Sequence, residues 1–249
     1  MFTDTHVHLA DAALRCRLPE VLARARDAGV CRFIVPSAQS GDWPVVAALA
    51  AGTAAIPAFG LHPWFAANQD GFDGLEVYLR RYPRAWVGEI GLDYSRASCA
   101  EEKAVQRALC AKQLGLAKQY GRPVILHNVR ASADLSALLE QNRVSGGIVH
   151  AFSGSLQEAG IFIRQGLKIG IGSLLLNPNA KKARAAAASL PLDALVLETD
   201  SPFMLYGRVN MPENVRKVAE TVCGLRGINL EALSAATEAN VDNLLDITK

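Results

Sequence analysis

The five histidines are the residues whose positions most directly suggest chemistry. They are His6, His8, His62, His127 and His150, and each lies at or just beyond the carboxyl end of an apolar run that we predict to be a strand. His6 and His8 form an H-x-H pair, and side chains at positions i and i+2 of a strand point to the same side. We therefore expect both imidazoles to reach one metal ion, although a lone pair of this kind is as often two core histidines.

Two carboxylates occupy comparable positions. Glu89 lies at the end of a predicted strand, and its two oxygens could each bind one metal ion; a buried ion pair with an arginine is the alternative. Asp200 lies just beyond a later strand, where it could bind a metal and accept a proton from an attacking water. Its alternative is a turn before Pro202. Glu198 shares the face of Asp200, so it either orients a ligand from behind or forms an ion pair inside a barrel.

Four histidines with one Glu and one Asp make a ligand set for a pair of divalent ions, with Zn, Mg and Mn as candidates. Two such ions activate a water and stabilise an in-line displacement at phosphorus. The five cysteines do not compete for this role, because their number is odd and no CxxC pair occurs. They indicate reduced thiols in a cytoplasmic protein.

The elements that must position these residues alternate regularly between strand and helix. The predicted strands are 2–8, 30–37, 54–60, 85–90, 123–127, 147–152, 168–171 and 194–198. The predicted helices are 19–29, 42–51, 73–82, 101–121, 132–141, 155–166, 178–188, 212–225 and 230–239. Eight units without a linker predict an α/β fold, a (β/α)8 TIM barrel that forms one domain over residues 1–249. A doubly wound open sheet is the alternative, weakened because no GxGxxG follows the first strand.

Composition narrows the classes of partner. Half of the residues are hydrophobic, a fifth are charged, and the formal net charge is +2, so the chain is not a general polyanion-binding protein. A nucleic acid would have to be held locally, by metal ions or a few arginines. Residues 43–69 lack charged side chains, but their glycines and prolines predict a helix, a turn and a strand rather than a membrane span. We also expect no signal peptide and no obligatory protein partner.

Six motifs carry a resemblance to a known family. They are 4–9 (DTHVHL), 60–63 (GLHP), 88–94 (GEIGLDY), 123–127 (PVILH), 150–154 (HAFSG) and 198–202 (ETDSP). In order and over essentially the whole chain, they resemble the motifs of the TatD family of metal-dependent deoxyribonucleases. The resemblance implies a TIM barrel with a two-metal site and 3′-to-5′ exonuclease activity on single-stranded DNA. It implies that His6, His8 and Asp200 bind one ion, that His127 and His150 bind the other, and that Glu89 bridges them.

The sequence departs from the family in three places. Trp64 stands where the family often has another histidine, Val129 stands where it usually has an arginine, and 210–212 (NMP) differ from its Asn-Glu-Pro stretch. None of these changes removes a metal ligand, but each could alter how a phosphate is held. We therefore take His62, Arg130 and Glu198 as the candidates for substrate binding, with Arg130 as the possible replacement for the missing arginine.

Three other functions stay open. A small-molecule amidohydrolase would share the H-x-H start and the late Asp, but many bridge their metals with a carboxylated lysine on strand four. Here that strand ends in Glu89, and Lys103 lies well inside the next helix. Removal of a D-amino acid from tRNA would use the same metals on an ester. A barrel that has lost catalysis and only binds metal is the third alternative.

Overall fold

Eight parallel strands form one sheet in the order in which they occur in the chain. In this computed structural model, which describes residues 1–68 and 71–248, the strands are β1 Phe2–Asp4, β2 Val30–Pro36, β3 Ala55–Phe59, β4 Trp86–Asp93, β5 Val124–Val129, β6 Gly147–Val149, β7 Leu167–Ile171 and β8 Leu195–Leu197. The sheet closes between its first and last strands, since the Thr5 amide donates to the Leu197 carbonyl at 3.0 Å. The predicted (β/α)8 barrel is confirmed, and the open-sheet alternative is wrong.

Helices surround the barrel and follow its strands. They are α1 Ala12–Arg15, α2 Leu18–Asp27, α3 Trp43–Gly52, α4 Phe72–Arg81, α5 Ala100–Gln119, α6 Ser132–Asn142, α7 Leu156–Arg164, α8 Lys181–Ser189, α9 Val215–Arg226 and α10 Leu230–Asp246. Helix α8 begins three residues later than predicted, because Asn177 caps a turn there with a 2.9 Å bond to the amide of Asn179. Helix α10 runs seven residues beyond its predicted end, in a stretch without Gly or Pro.

The strands bury both faces, which explains why their sequences are apolar without alternation. One residue from each of six strands joins a cluster inside the barrel: Ile34, Ala58, Trp86, Ile125, Ile148 and Val196. Val241 and Leu244 of α10 belong to the same cluster. The neighbours of these residues along each strand, such as Phe33 and Val35, pack outward in the larger core beneath the helices.

Strand β1 is shorter than predicted. It ends at Asp4, so His6 and His8 lie in the bent segment that follows it rather than at its end. The cause is a change of partner, because the chain there bonds to the segment after β8: Asp200 donates its amide to the His6 carbonyl at 2.8 Å, and His8 donates to Ser201 at 2.8 Å.

The uncharged stretch 43–69 folds as a helix, a strand and a short 3-10 turn, although its last residue, Gln69, lies outside the described residues. In the part of the chain that the structure covers, no helix combines the length and the apolar character needed to cross a bilayer. The single-domain prediction for residues 1–249 likewise includes three residues that are not described.

Candidate metal centre

The alternation inside the barrel explains how its strands deliver polar side chains to one end. His127 lies two residues after Ile125 of β5, and His150 lies two residues after Ile148 of β6. The same step from Val196 leads to Glu198, and a second step leads to Asp200. Side chains two apart on a strand share a face, so the interior rows that begin with apolar residues end in imidazoles and carboxylates at the carboxyl end of the barrel.

Glu89 lies at the centre of the cluster, 3% exposed, and its two oxygens face different groups. Oε2 is 3.2 Å from Nε2 of His6 and 3.7 Å from Nε2 of His8. Oε1 is 2.9 Å from Nδ1 of His127 and 2.7 Å from Nε2 of His150. This division is the arrangement expected of a carboxylate that bridges two cations.

The remaining distances fit a shared cation on each side. Nε2 of His6 and Nε2 of His8 are 3.1 Å apart, and Oδ1 of Asp200 is 3.3 Å from the latter. Nδ1 of His127 and Nε2 of His150 are also 3.1 Å apart. Two ligand atoms bound tetrahedrally at 2.0–2.1 Å from a zinc ion lie about 3.3 Å apart. The structure thus brings together all six residues predicted as ligands, and their donor atoms are spaced as ligands are.

Charge at the centre favours cations. Burial raises the pKa of Glu89, but the surrounding histidines, His150 first, outweigh it and hold the pKa well below its usual range. Burial also opposes ionisation of Asp200, and its bond to His8 reverses that effect, so the pKa of this carboxyl is lowered as well. Both carboxylates are therefore negative at neutral pH.

His62 is the fifth imidazole of the cluster, with Nε2 3.2 Å from Oε1 of Glu89. Its other nitrogen, Nδ1, accepts a hydrogen bond from the backbone amide of Trp64 at 3.1 Å. A nitrogen that accepts is unprotonated, so in the neutral ring the proton is on Nε2, which can then donate but not bind a metal. His62, Glu89 and His127 have ligand atoms close enough together to share a cation, but this tautomer favours a hydrogen-bond role for His62 over a place among the metal ligands. Its predicted contact with substrate stays a prediction.

Asp93 belongs to the 88–94 motif, and its role becomes visible only in the structure. Its Oδ2 is 3.2 Å from Nε2 of His127 and accepts a 2.7 Å hydrogen bond from the indole of Trp64. Ser95 donates its amide and its hydroxyl to Oδ1, at 2.9 and 2.5 Å. A carboxylate behind a histidine fixes the ring and its tautomer, leaving Nδ1 of His127 free to bind a metal.

Glu198 is not in contact with the cavity. It is fully buried beneath the centre, where Oε1 accepts a 2.5 Å bond from the amide of Ala151. Gly170 and Gly172 make room for it, since a Cβ on either would press against the carboxyl group. Burial raises the pKa of Glu198 well above its usual value. The predicted contact of Glu198 with substrate thus gains no support from its position, because it is not part of the cavity wall. Among the described residues no basic side chain lies at ion-pair distance from it, and it supports the segment that follows His150.

A cavity of about 490 Å³ opens above the centre. Besides the metal-centre residues, its wall includes Ala10, Asp11, Pro36, Ala38, Gln39, Asp42, Trp64, Phe65, Phe203 and Met204. Among the described residues that line it there is no lysine or arginine. Arg130, the predicted phosphate contact, is exposed at the end of β5 with a left-handed φ of 55° and does not line this cavity.

Imidazoles and carboxylates gathered in this way at the carboxyl ends of barrel strands define a class, the metal-dependent hydrolases built on this fold. Comparison of the sequence with models of known families identifies one family within this class. Residues 3–246 match the model of the family described as TatD related DNase, and the chain belongs to that family.

Known relatives support this assignment over their whole length. The chain is 36% identical to the uncharacterized metal-dependent hydrolase YjjV of Escherichia coli K12, covering 99% of this chain and 98% of the relative. It is 31% identical to the 3′-5′ ssDNA/RNA exonuclease TatD of Edwardsiella piscicida, covering 97% and 98%. The crystal structure of E. coli YjjV superimposes with a TM-score of 0.89 at 34% identity, covering 98% of both chains.

Proposed function

We propose that this hydrolase cleaves phosphodiester bonds in single-stranded DNA from the 3′ end, by attack of a water that two divalent ions would activate when bound. The observation that carries the proposal is the division of the Glu89 oxygens between two groups of donors, 2.7–2.9 Å away on one side and 3.2–3.7 Å on the other. A pair of ions held by such a bridge suits in-line displacement at phosphorus. The relative named as a 3′-5′ exonuclease gives independent support.

In this proposal His6, His8 and Asp200 would hold one ion, His127 and His150 would hold the other, and Glu89 would contribute to both. When bound, the two ions would acidify a water and offset the negative charge that builds on the phosphate. The ions can be Zn, Mg or Mn, since nitrogen and oxygen donors suit all three.

The chain's own groups have separate tasks. Asp200 lies in the cavity wall with its carboxylate ionised, so it can take the proton of the attacking water. His62 faces Glu89 with Nε2 and lies in the cavity wall, so it can hold this carboxylate in place beside a bound substrate. Asp93 holds the ring of His127 from behind. The five cysteines are all free thiols, which supports the cytoplasmic location predicted from the sequence.

The test combines metal analysis with digestion of oligonucleotides. Purified protein is analysed for bound metals by mass spectrometry, and then incubated with single- and double-stranded oligonucleotides that carry a 5′ label. We expect about two divalent ions per chain and a ladder of labelled fragments shortened from the 3′ end, faster on the single strand. Intact oligonucleotides after incubation with fully metal-loaded protein would overturn the proposal.

The lining of the cavity supports a second candidate function, hydrolysis of a small ester or amide. Without a basic side chain among its described lining residues, the cavity also suits a small ester or amide, including an aminoacyl ester. A panel of such substrates, assayed beside the oligonucleotides with the same metal-loaded protein, separates the two: a kcat/KM higher on a small ester than on any oligonucleotide would favour the second function.

A further inference from the structure

Two residues form a stacked pair at the rim of the cavity. Trp64 lines the cavity and is 51% exposed, and the guanidinium carbon of Arg96 lies 4.2 Å from the centre of its ring. That distance is typical of a cation–π pair. Arg96 is itself exposed.

Among the described residues, no acid forms an ion pair with Arg96. Several exposed arginines of this chain pair with carboxylates, for example Arg24 with Glu213 at 2.6 Å and Arg80 with Glu76 at 2.8 Å. Within residues 1–68 and 71–248 no carboxylate lies at ion-pair distance from the Arg96 guanidinium. The side chain is therefore fixed by the indole while its charge stays available to an anion.

The pair is joined to the metal centre by direct bonds. The same indole donates to Asp93, which contacts His127, and the ring centres of Trp64 and His127 are 6.3 Å apart. The guanidinium carbon is 4.2 Å from the Trp64 ring, whose centre is 6.3 Å from that of His127, so Arg96 lies within about 10.5 Å of the His127 ring. A DNA strand carries one phosphate per nucleotide, so a strand whose scissile phosphate lies at the centre can bring a nearby phosphate to Arg96.

We propose that Arg96, stacked on Trp64, binds a phosphate that neighbours the scissile one and supplies the positive charge that Val129 lacks. Stacking uses the face of the guanidinium and leaves the N–H groups at its edge to bind two phosphate oxygens. The inference rests on the proposed function.

The central test is Arg96→Gln, with Arg84→Gln as the matched control. Arg84 is also exposed and unpaired in the described part of the chain, but it precedes β4 and so lies at the opposite end of the barrel. Binding of a labelled single-stranded phosphorothioate oligonucleotide to the metal-loaded proteins is measured across a series of salt concentrations. We expect Arg96→Gln to bind about three- to tenfold more weakly. Its slope of log affinity against log salt should be smaller by about 0.7, the value of one phosphate contact on a single strand. Arg84→Gln should change neither quantity.

Two further measurements assign the effect to a neighbouring phosphate. Hydrolysis of bis(p-nitrophenyl) phosphate, which has no neighbouring phosphate, should keep its kcat/KM in Arg96→Gln, and the metal content should equal that of the wild type. Arg96→Lys should keep the salt slope but lose part of the affinity, because an ammonium group neither stacks as a plane nor binds two oxygens at once.

The outcomes separate this inference from the proposed function. If the wild type cleaves oligonucleotides and Arg96→Gln binds them as tightly as Arg84→Gln does, the inference is wrong and the proposed function stands. If Arg130→Gln shows the loss instead, the contact belongs to Arg130. If the wild type hydrolyses small esters but neither binds nor cleaves an oligonucleotide, both proposals fail together.

Discussion

Substituting Asp200 by asparagine should remove the rate while leaving the metal centre largely assembled. Oδ1 of Asp200 is 3.3 Å from Nε2 of His8 and 3.7 Å from Nε2 of His6, so it belongs to only one of the two groups of donors. The other group, His127 and His150 with Oε1 of Glu89, is untouched. General-base catalysis contributes about 10²–10⁴ in rate, which corresponds to about 2.7–5.4 kcal/mol of transition-state stabilisation.

Glu89→Gln is the contrasting variant. This variant removes a negative charge that faces both groups of donors. The amide nitrogen of the glutamine must also take the place of one carboxylate oxygen, so it faces the imidazoles of one group and cannot bind a cation there. We therefore expect the metal content to fall in Glu89→Gln and to stay at one ion or more in Asp200→Asn.

The assay measures metal content by mass spectrometry and turnover of bis(p-nitrophenyl) phosphate on the same preparations. Near-normal turnover by metal-bound Asp200→Asn would refute the general-base role. Full metal occupancy in Glu89→Gln would refute the bridge.

Three other changes have defined outcomes. Exhaustive dialysis against a chelator should abolish hydrolysis, and an added divalent ion should restore it; full activity in excess chelator would exclude a metal mechanism. Asp93→Asn should weaken metal binding about 10- to 100-fold, because the ring of His127 loses the carboxylate that orients it; a metal titration that matches the wild type would show that this contact has no role. Glu198→Leu should lower the free energy of unfolding by about 1–3 kcal/mol, since the buried amide of Ala151 loses its acceptor. Glu198→Gln, which keeps an acceptor, should unfold at a denaturant concentration close to that of the wild type, and equal losses in both variants would contradict this reasoning.

The sequence predicts the barrel and the gathering of the donors because both follow from local rules. Parallel strands bury both faces, so their runs are apolar, and the interior row of each strand continues in steps of two residues to its polar end. His127 and His150 could be placed at the same end of the barrel by this step alone. An error in the predicted end of a strand matters little for such residues. Strand β1 ends four residues before His8, and the imidazoles of His6 and His8 are nevertheless in contact.

The roles of the supporting residues could not be predicted because they depend on contacts between distant strands. Asp93 differs from other strand-end acids only in facing His127, and Glu198 differs from Asp200 only in lying below the cavity floor. Arg130 is next to Val129 in sequence, yet it has a left-handed backbone and does not line the cavity. Arg96 shows the converse, because its place at the rim depends on a ring 32 residues earlier in the chain.

The seam where the barrel closes makes one half of the candidate metal centre depend on two segments that are far apart in the chain. Asp200 follows His6 by 194 residues, so it is made later, and its amide donates to the His6 carbonyl across the seam. The buried carboxylate of Asp4 ties the same two segments together through the amide and hydroxyl of Thr199, at 2.9 and 2.5 Å. A cation bound by His6, His8 and Asp200 would therefore join the first and last strands of the sheet. During translation, binding of this cation would require that the barrel has already closed.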